Sequence, residues 1–191
     1  CAERGIHCTL FSSDLVFAGE HVALDEDAPL DPGNAYGRSK AAMEREAAAL
    51  PAPPLVVRTA AFFSPFDPHN FAAAVERELL GGRDFAASAQ HVVTPTYVPD
   101  LVRVTLDLVI DGERGTWHLT NGDPVSWHGF AVAVADALGL PAERIREADP
   151  ATLGWRAPRP AGVPLTSGRG RQLPPLRDAI ARHAAERRLR G

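Results

Sequence analysis

The chain is short of several residue types, and each scarcity excludes something. It has 2 cysteines, Cys1 and Cys8, in 191 residues. Their spacing fits neither a zinc knuckle nor a redox pair, and they read as free thiols of a reducing compartment. No run approaches eighteen apolar residues, so no membrane partner or spanning helix is expected. The opening residues, CAERGIH, are polar and carry no signal-peptide pattern, so a cytoplasmic protein is expected. Seven histidines, His7, His21, His69, His91, His118, His128 and His183, are scattered without HExxH or paired ligand spacing, and no metal site is expected. Basic residues are outnumbered 20 to 24, a net charge of -4, which argues against nucleic acid as a partner.

The scarcest charged residue is lysine. Of the 20 basic residues, 19 are Arg and one, Lys40, is Lys. Abundant Ala, Pro and Gly suggest a coding bias that replaces Lys by Arg wherever either serves. A surviving Lys then marks a place where a compact point charge is needed and a broad planar one fails.

What is present is ordinary for a globular protein: 45% hydrophobic and 23% charged residues, in a length suited to one domain or one and a part. Residues 7–12 read as a buried strand that ends in Ser12-Ser13-Asp14. A Pro- and Gly-bearing loop follows over 18–34. Residues 35–50 are rich in Ala, Glu and Arg and predict a helix, stopped by Pro51. Residues 55–58, LVVR, predict a strand, and strand, helix, strand is the grammar of a parallel α/β sheet. Further helices are predicted over 70–80, 99–110, 126–138 and 176–188, and strands near 84–86, 91–93 and 115–119. The Pro-, Gly- and Arg-rich stretch 149–175 receives no regular structure.

Tyr36 and Lys40 stand four apart on the first predicted helix, which puts both on one face. The chain has 2 tyrosines and this one lysine, so the coincidence is informative. Ligands of parallel sheets bind at the carboxyl ends of strands, where Ser13 and the start of the Tyr36 helix would face one crevice.

Three runs then make a specific resemblance: FSSDLVFAGE, DEDAPLDPGNAYGRSKAAMERE and LVVRTAAFF. With His69-Asn70-Phe71, Thr94-Pro95-Thr96-Tyr97, Asp100-Leu101, Arg159-Pro160 and LPPLRDAIAR, they resemble the dTDP-4-dehydrorhamnose reductase branch of the extended short-chain dehydrogenase/reductases. The resemblance covers about residues 6–182. It implies an α/β fold: the C-terminal half of a Rossmann-type parallel sheet (1–66 and 96–122) plus a small α/β substrate-binding lobe (67–95 and 123–191). It implies reduction of a nucleotide-linked 4-keto-6-deoxysugar by NADPH or NADH, with Ser13, Tyr36 and Lys40 as the catalytic set. Ser12, Tyr36, Lys40, Thr59 and Ala60 would bind the cofactor. Ser13, Asp14, Ala61, Asn70, His91, Thr96 and Arg159 would bind the nucleotide-sugar substrate. A homodimer stays open.

The physics agrees with those roles. A ketone that receives hydride needs a proton, and Tyr36 would give it as general acid. An isolated Tyr titrates near pH 10, and lowering it by about three units takes roughly 4 kcal/mol. A cation about 4 Å away at an effective dielectric near 20 supplies that much, the task expected of Lys40.

Departures from the branch concern the pocket and the cofactor. Leu15 stands where the branch commonly has Tyr, Ala60-Ala61 where a Trp is frequent, and Gln90-His91 where an Asp-Gln pair is expected. No GxGxxG or GxxGxxG occurs. The chain is therefore expected to be the C-terminal part of a longer reductase and to bind NADPH poorly alone. Three rivals remain: an epimerase or dehydratase of the same superfamily, a non-catalytic binding relative, and an inactive relic. Beyond the site, Trp155 with Arg156, Arg159 and Arg169 offers forks suited to phosphate, or else a plain surface loop. Trp117 and His118 read as packing. Glu44, Glu46 and the basic tail of Arg182, Arg187, Arg188 and Arg190 read as solvated helix positions.

Overall fold

The structure, a computed structural model, describes residues 1–19, 22–170 and 173–189. His21 and Arg190, singled out above, lie outside the described residues. The first strand, β1 (Thr9–Ser13), runs into a single 3-10 turn, Asp14–Val16. Helix α1 (Ala35–Ala48) begins where Asn34 Oδ1 accepts the Gly37 N–H at 2.8 Å, a polar N-cap. It is followed by β2 (Leu55–Thr59), whose five residues are all buried. A continuous apolar, β-branched run suits a strand covered on both faces.

The chain then forms β3 (Phe62–Phe63), α2 (Phe71–Leu80), β4 (Phe85–Ala87), β5 (Val92–Val93), β6 (Thr96–Tyr97) and α3 (Val98–Ile110). It continues with β7 (Gly115–His118), β8 (Val125–Ser126), α4 (Trp127–Leu138), β9 (Ile145–Glu147) and α5 (Leu176–Arg188). The main sheet is parallel, in the order β1-β2-β7. Its register pairs Ser13 with Thr59 and Arg58 with His118, so the carboxyl ends of the strands are level. Leu101, Val104 and Leu108 of α3 pack on Leu55, Val57 and Trp117 of the sheet. Ala41 of α1 packs with Val16 and Phe17.

A second core lies around an aromatic cluster. Phe63 sits 5.2 Å from both Tyr97 and Phe130, and Phe71 sits 4.6 Å from Trp127, ring centre to ring centre. Helices α2, α4 and α5 and the β4–β9 pair enclose it. Among the described residues of 149–175 there is one short 3-10 turn, Pro150–Thr152, and Gly162 and Leu165 form isolated bridges to Val92 and Leu24.

Polar side chains join the two cores. Asn121, fully buried, accepts the Tyr97 N–H at 2.7 Å and donates to Asp100 Oδ2 at 3.2 Å and Pro174 O at 2.7 Å. Arg182 closes the cluster with two 2.6 Å bonds to Asp100. That corrects the reading of Arg182 and Arg187 as solvated, since Arg187 also binds Glu76 at 2.8 Å, while Arg188 is exposed as expected and reaches Ala137 O at 2.9 Å. Glu44 is likewise no solvated acid. It is 6% exposed and takes Arg58 Nη2 at 2.7 Å. An arginine inside the apolar run LVVRT needs such a partner, because a buried charge left alone is costly. Arg58 Nη1 also reaches His118 Nε2 at 3.1 Å while His118 Nδ1 faces Thr166 O at 2.7 Å. Arginine only donates and a carbonyl only accepts, so the imidazole is neutral with its hydrogen on Nδ1. Burial holds His118 below its ordinary value, in accord with that form.

Candidate active site

Four groups meet at the carboxyl end of β1. Ser13 and Asp14 stand at the strand-to-turn junction, and Tyr36 and Lys40 stand on α1. Ser13 Oγ accepts the Leu15 N–H at 3.2 Å and donates to Asp14 Oδ1 at 2.7 Å. Lys40 Nζ donates to Phe11 O at 2.8 Å and lies 5.7 Å from the Tyr36 ring centre. Tyr36 is half-exposed.

Gly37 allows this meeting. A Cβ built there would fall 1.9 Å from Leu15 O and 2.9 Å from the Leu15 carbonyl carbon. Only glycine lets the first turn of α1 close on the backbone that carries Ser13 and Asp14. The same helix start fixes the opposite wall, because Asn34 Nδ2 donates to Pro158 O at 3.2 Å, next to Arg159.

A cavity of about 160 Å³ opens between these walls, lined by Ser13, Asp14, Leu15, Ala61, His91 and Arg159 together with Trp127, Pro160 and three valines. Ala61 is a strained point in its wall, with φ of 40° on a residue that has a Cβ. His91 Nδ1 lies 3.0 Å from Ser88 Oγ, and its ring meets Trp155 edge-on at 4.7 Å. Arg159 lies over Trp155 at 5.4 Å. Next to it, a second cavity of about 380 Å³ is lined by Phe71, Phe85, Trp127, Trp155 and Arg159. A larger one, about 550 Å³, lies away from these groups beside Ile6, Leu10, Met43 and Leu50.

The structure separates some residues that the sequence grouped. Asn70 caps α2: Oδ1 accepts the Ala73 N–H at 3.0 Å and Nδ2 binds Ser64 O and Asp67 O at 2.7 and 2.6 Å. It does not line the cavity of Ser13. Thr96 is fully buried and accepts the Thr59 hydroxyl at 2.9 Å, so that hydroxyl is engaged inside the protein. Ala60 is buried beside it. Arg169 packs over Trp117 at 4.4 Å, apart from Trp155 and Arg159.

The electrostatics also differ from expectation. Burial and the neighbouring Asp14 carboxylate raise the Tyr36 hydroxyl above its ordinary value. The lowering expected from Lys40 does not prevail. Its ammonium is held on the Phe11 carbonyl oxygen. Burial pushes Asp14 itself up to about 6, against the Ser13 hydroxyl, the Leu15 N–H and the Arg159 charge, which all act to lower it.

For a nicotinamide nucleotide the donor set fits in part. Ser12 Oγ is buried with no hydrogen-bond partner, Lys40 has two ammonium hydrogens beyond the one given to Phe11 O, and Tyr36 is half-exposed. These suit ribose hydroxyls and a carboxamide. A glycine-rich pyrophosphate turn is not among the 191 residues. Among the described residues no cluster of three or more His, Cys, Asp or Glu could hold a metal, and no helix is long and apolar enough to cross a membrane.

Comparison with known proteins follows the same line. The RmlD substrate binding domain family matches residues 1–186. The dTDP-4-dehydrorhamnose reductase of Mycolicibacterium smegmatis is 36% identical over 187 residues, which are 93% of this chain and 56% of that protein. A probable dTDP-4,6-dihydroxy-2-methyloxan-3-one 4-ketoreductase of Streptomyces antibioticus is 34% identical, over 87% of this chain and 58% of that protein. The crystal structure of dTDP-4-dehydrorhamnose reductase from Bacillus anthracis in complex with NADP superposes with a TM-score of 0.87 at 25% identity, covering 95% of this chain and 66% of that one. The chain thus spans a little over half the length of the curated relatives it matches. A family match over nearly the whole chain, on a parallel sheet with Tyr36 and Lys40 at its carboxyl edge, has one reading: this chain belongs to the RmlD substrate binding domain family.

Proposed function

We propose that this chain supplies the proton donor and the sugar pocket of a reductase that converts a nucleotide-linked 4-keto-6-deoxysugar to its alcohol. The observation that carries the reading is a cavity lined by Ser13, Asp14 and Arg159, with Tyr36 near enough for the Asp14 charge to act on its hydroxyl. The names of the relatives at 36% and 34% identity support the substrate class. NADPH, or NADH, would supply the hydride at the carbonyl carbon when bound. Ser12, Lys40 and Tyr36 would hold its nicotinamide riboside end.

The chain's own part is proton delivery and orientation. The carbonyl oxygen becomes an alkoxide, a much stronger base than a phenolate. Tyr36, kept protonated at neutral pH by its raised value, hands its hydrogen to that oxygen. Lys40, 5.7 Å from the ring centre, steadies the phenolate left behind. Ser13 orients the carbonyl by a hydrogen bond, and Arg159 faces the diphosphate. The net charge of -4 speaks against nucleic acid, and free Cys1 and Cys8 accord with a cytoplasmic setting.

The test is NADPH oxidation with dTDP-4-keto-6-deoxyglucose-derived substrates, using the longest natural polypeptide that contains this chain. Tyr36→Phe is expected to lose about 100- to 10,000-fold in kcat with an unchanged melting temperature. A Tyr36→Phe variant as active as the parent would defeat the reading.

A further inference from the structure

Ser13 has one hydroxyl hydrogen and two claims on it. Its oxygen already accepts the Leu15 N–H, and its hydrogen goes to Asp14 Oδ1 at 2.7 Å. Both residues are 9% exposed, and both line the cavity. While Asp14 is ionised, the carboxylate outcompetes a neutral carbonyl for that hydrogen, since a charge-assisted bond is roughly twice as strong as a neutral one. Ser13 then has nothing to donate to a ligand. A protonated Asp14 reverses the direction. Its own O–H points at Ser13 Oγ, and the Ser13 hydrogen turns outward.

We propose that Asp14 is a positioning residue that works in its acid form, releasing the Ser13 hydrogen toward the sugar, and that binding of the sugar nucleotide drives Asp14 to take up the proton. The identity of the ligand rests on the proposed function; the hydrogen-bond device does not. Only O–H bonds change: one proton passes from solvent to Asp14 on binding and returns on release.

Several titratable or charged groups lie around Asp14. They are Tyr36 and, farther along α1, Lys40; Arg159 on the 153–163 segment; and His91 ahead of β5. Of these, Arg159 is the charge that favours ionised Asp14. A diphosphate neutralises Arg159 and adds negative charge, and both effects favour the acid. The carboxyl starts at about 6, so the uptake falls within reach of neutral pH. Protonation also removes the carboxylate charge that raises Tyr36.

The experiment uses the whole chain and dTDP-glucose, a diphosphate diester that does not titrate near neutral pH. Calorimetry at pH 6.5 in buffers of different ionisation enthalpy reads the proton count. The expected result is uptake of roughly half a proton per site, absent in Asp14→Asn. Carboxyl 13C NMR is expected to place Asp14 near 6 and to show it rising in Ser13→Ala, which removes a bond to the charged form. In the oxidation assay, kcat/KM is expected to show an alkaline limb that both Asp14→Asn and Ser13→Ala lose. Uptake that persists in Asp14→Asn, or an Asp14 titration that Ser13→Ala leaves in place, overturns the proposal. If dTDP-glucose does not bind, the substrate reading and the ligand-driven uptake fail together. The Ser13→Ala titration then decides the device alone.

Discussion

Asp100 and Asp14 are both buried, at 3% and 9% exposure, yet their surroundings differ in kind. Asp100 takes two Arg182 hydrogen bonds and one from Asn121. Asp14 has a neutral hydroxyl at 2.7 Å and the more distant charge of Arg159. The first acid has its charge fully answered and joins β6, α3 and α5. The second is left short of partners and is pushed up to about 6. Burial alone does not make a residue structural. What separates scaffold from chemistry is whether the partners complete the ion's demand.

Removing the answer from Asp100 should give the largest change in stability. Arg182→Leu leaves a buried carboxylate without its cation and is expected to cost about 3 kcal/mol in urea unfolding, largely recovered by adding Asp100→Leu. A cost near zero would erase the contrast between the two acids. Asp14→Asn should move the other way, stabilising by about 2 kcal/mol at pH 8. The sign follows from a folded-state value above the unfolded one: ionised Asp14 costs stability at high pH, and the cost fades as pH falls through about 6 toward 4. The gain from Asn should therefore vanish near pH 4. His183 sharpens the comparison from the basic side. Burial, aided by Arg187, lowers it to about 4, and neither ring nitrogen has a hydrogen-bond partner. Its contribution is complete above about pH 6.5 and is lost as pH falls toward 4, so His183→Leu should flatten the acid limb of a stability-pH curve by about 1–2 kcal/mol. The smallest effect is expected at Asn70. Its replacement by Ala removes a helix cap and should cost about 1 kcal/mol with little change in KM. A large rise in KM would return Asn70 to the substrate site.

Long elements were legible in the sequence because their pattern repeats. The Ala- and Glu-rich run at 35–50 and the apolar run at 55–58 appear as α1 and β2 within a residue or two. β5 falls within the strand expected near 91–93, but the two-residue strands β3, β6 and β8 were not legible, since periodicity has no leverage over two residues. Of the expected site residues, Ser13, Asp14, His91 and Arg159 line one cavity, and the four-residue spacing puts Lys40 5.7 Å from the Tyr36 ring centre. Asn70 and Thr96 do not, because a motif shows which residues recur together and not which way they face. The buried state of Glu44 had a visible signal in Arg58, a charge inside an apolar strand that had to be met by something. Asn121 had none: nothing in a lone Asn of a turn announces bonds to residues 24 and 53 positions away. The direction of the Tyr36 shift was also out of reach, because it depends on where Lys40 spends its hydrogens.

The close approach at Gly37 bears on how this chain tolerates change. Helical glycines are routine targets when a protein is made more heat-resistant, since alanine gains about 1 kcal/mol in an exposed helix. Here the added methyl would meet a backbone carbonyl that has no rotamer to yield. A saturation library at position 37 should therefore be nearly blank, while Ser39, exposed two residues on, accepts most replacements. A designer ranking positions by helix propensity would choose the one glycine whose bareness sets the distance between Tyr36 and Ser13.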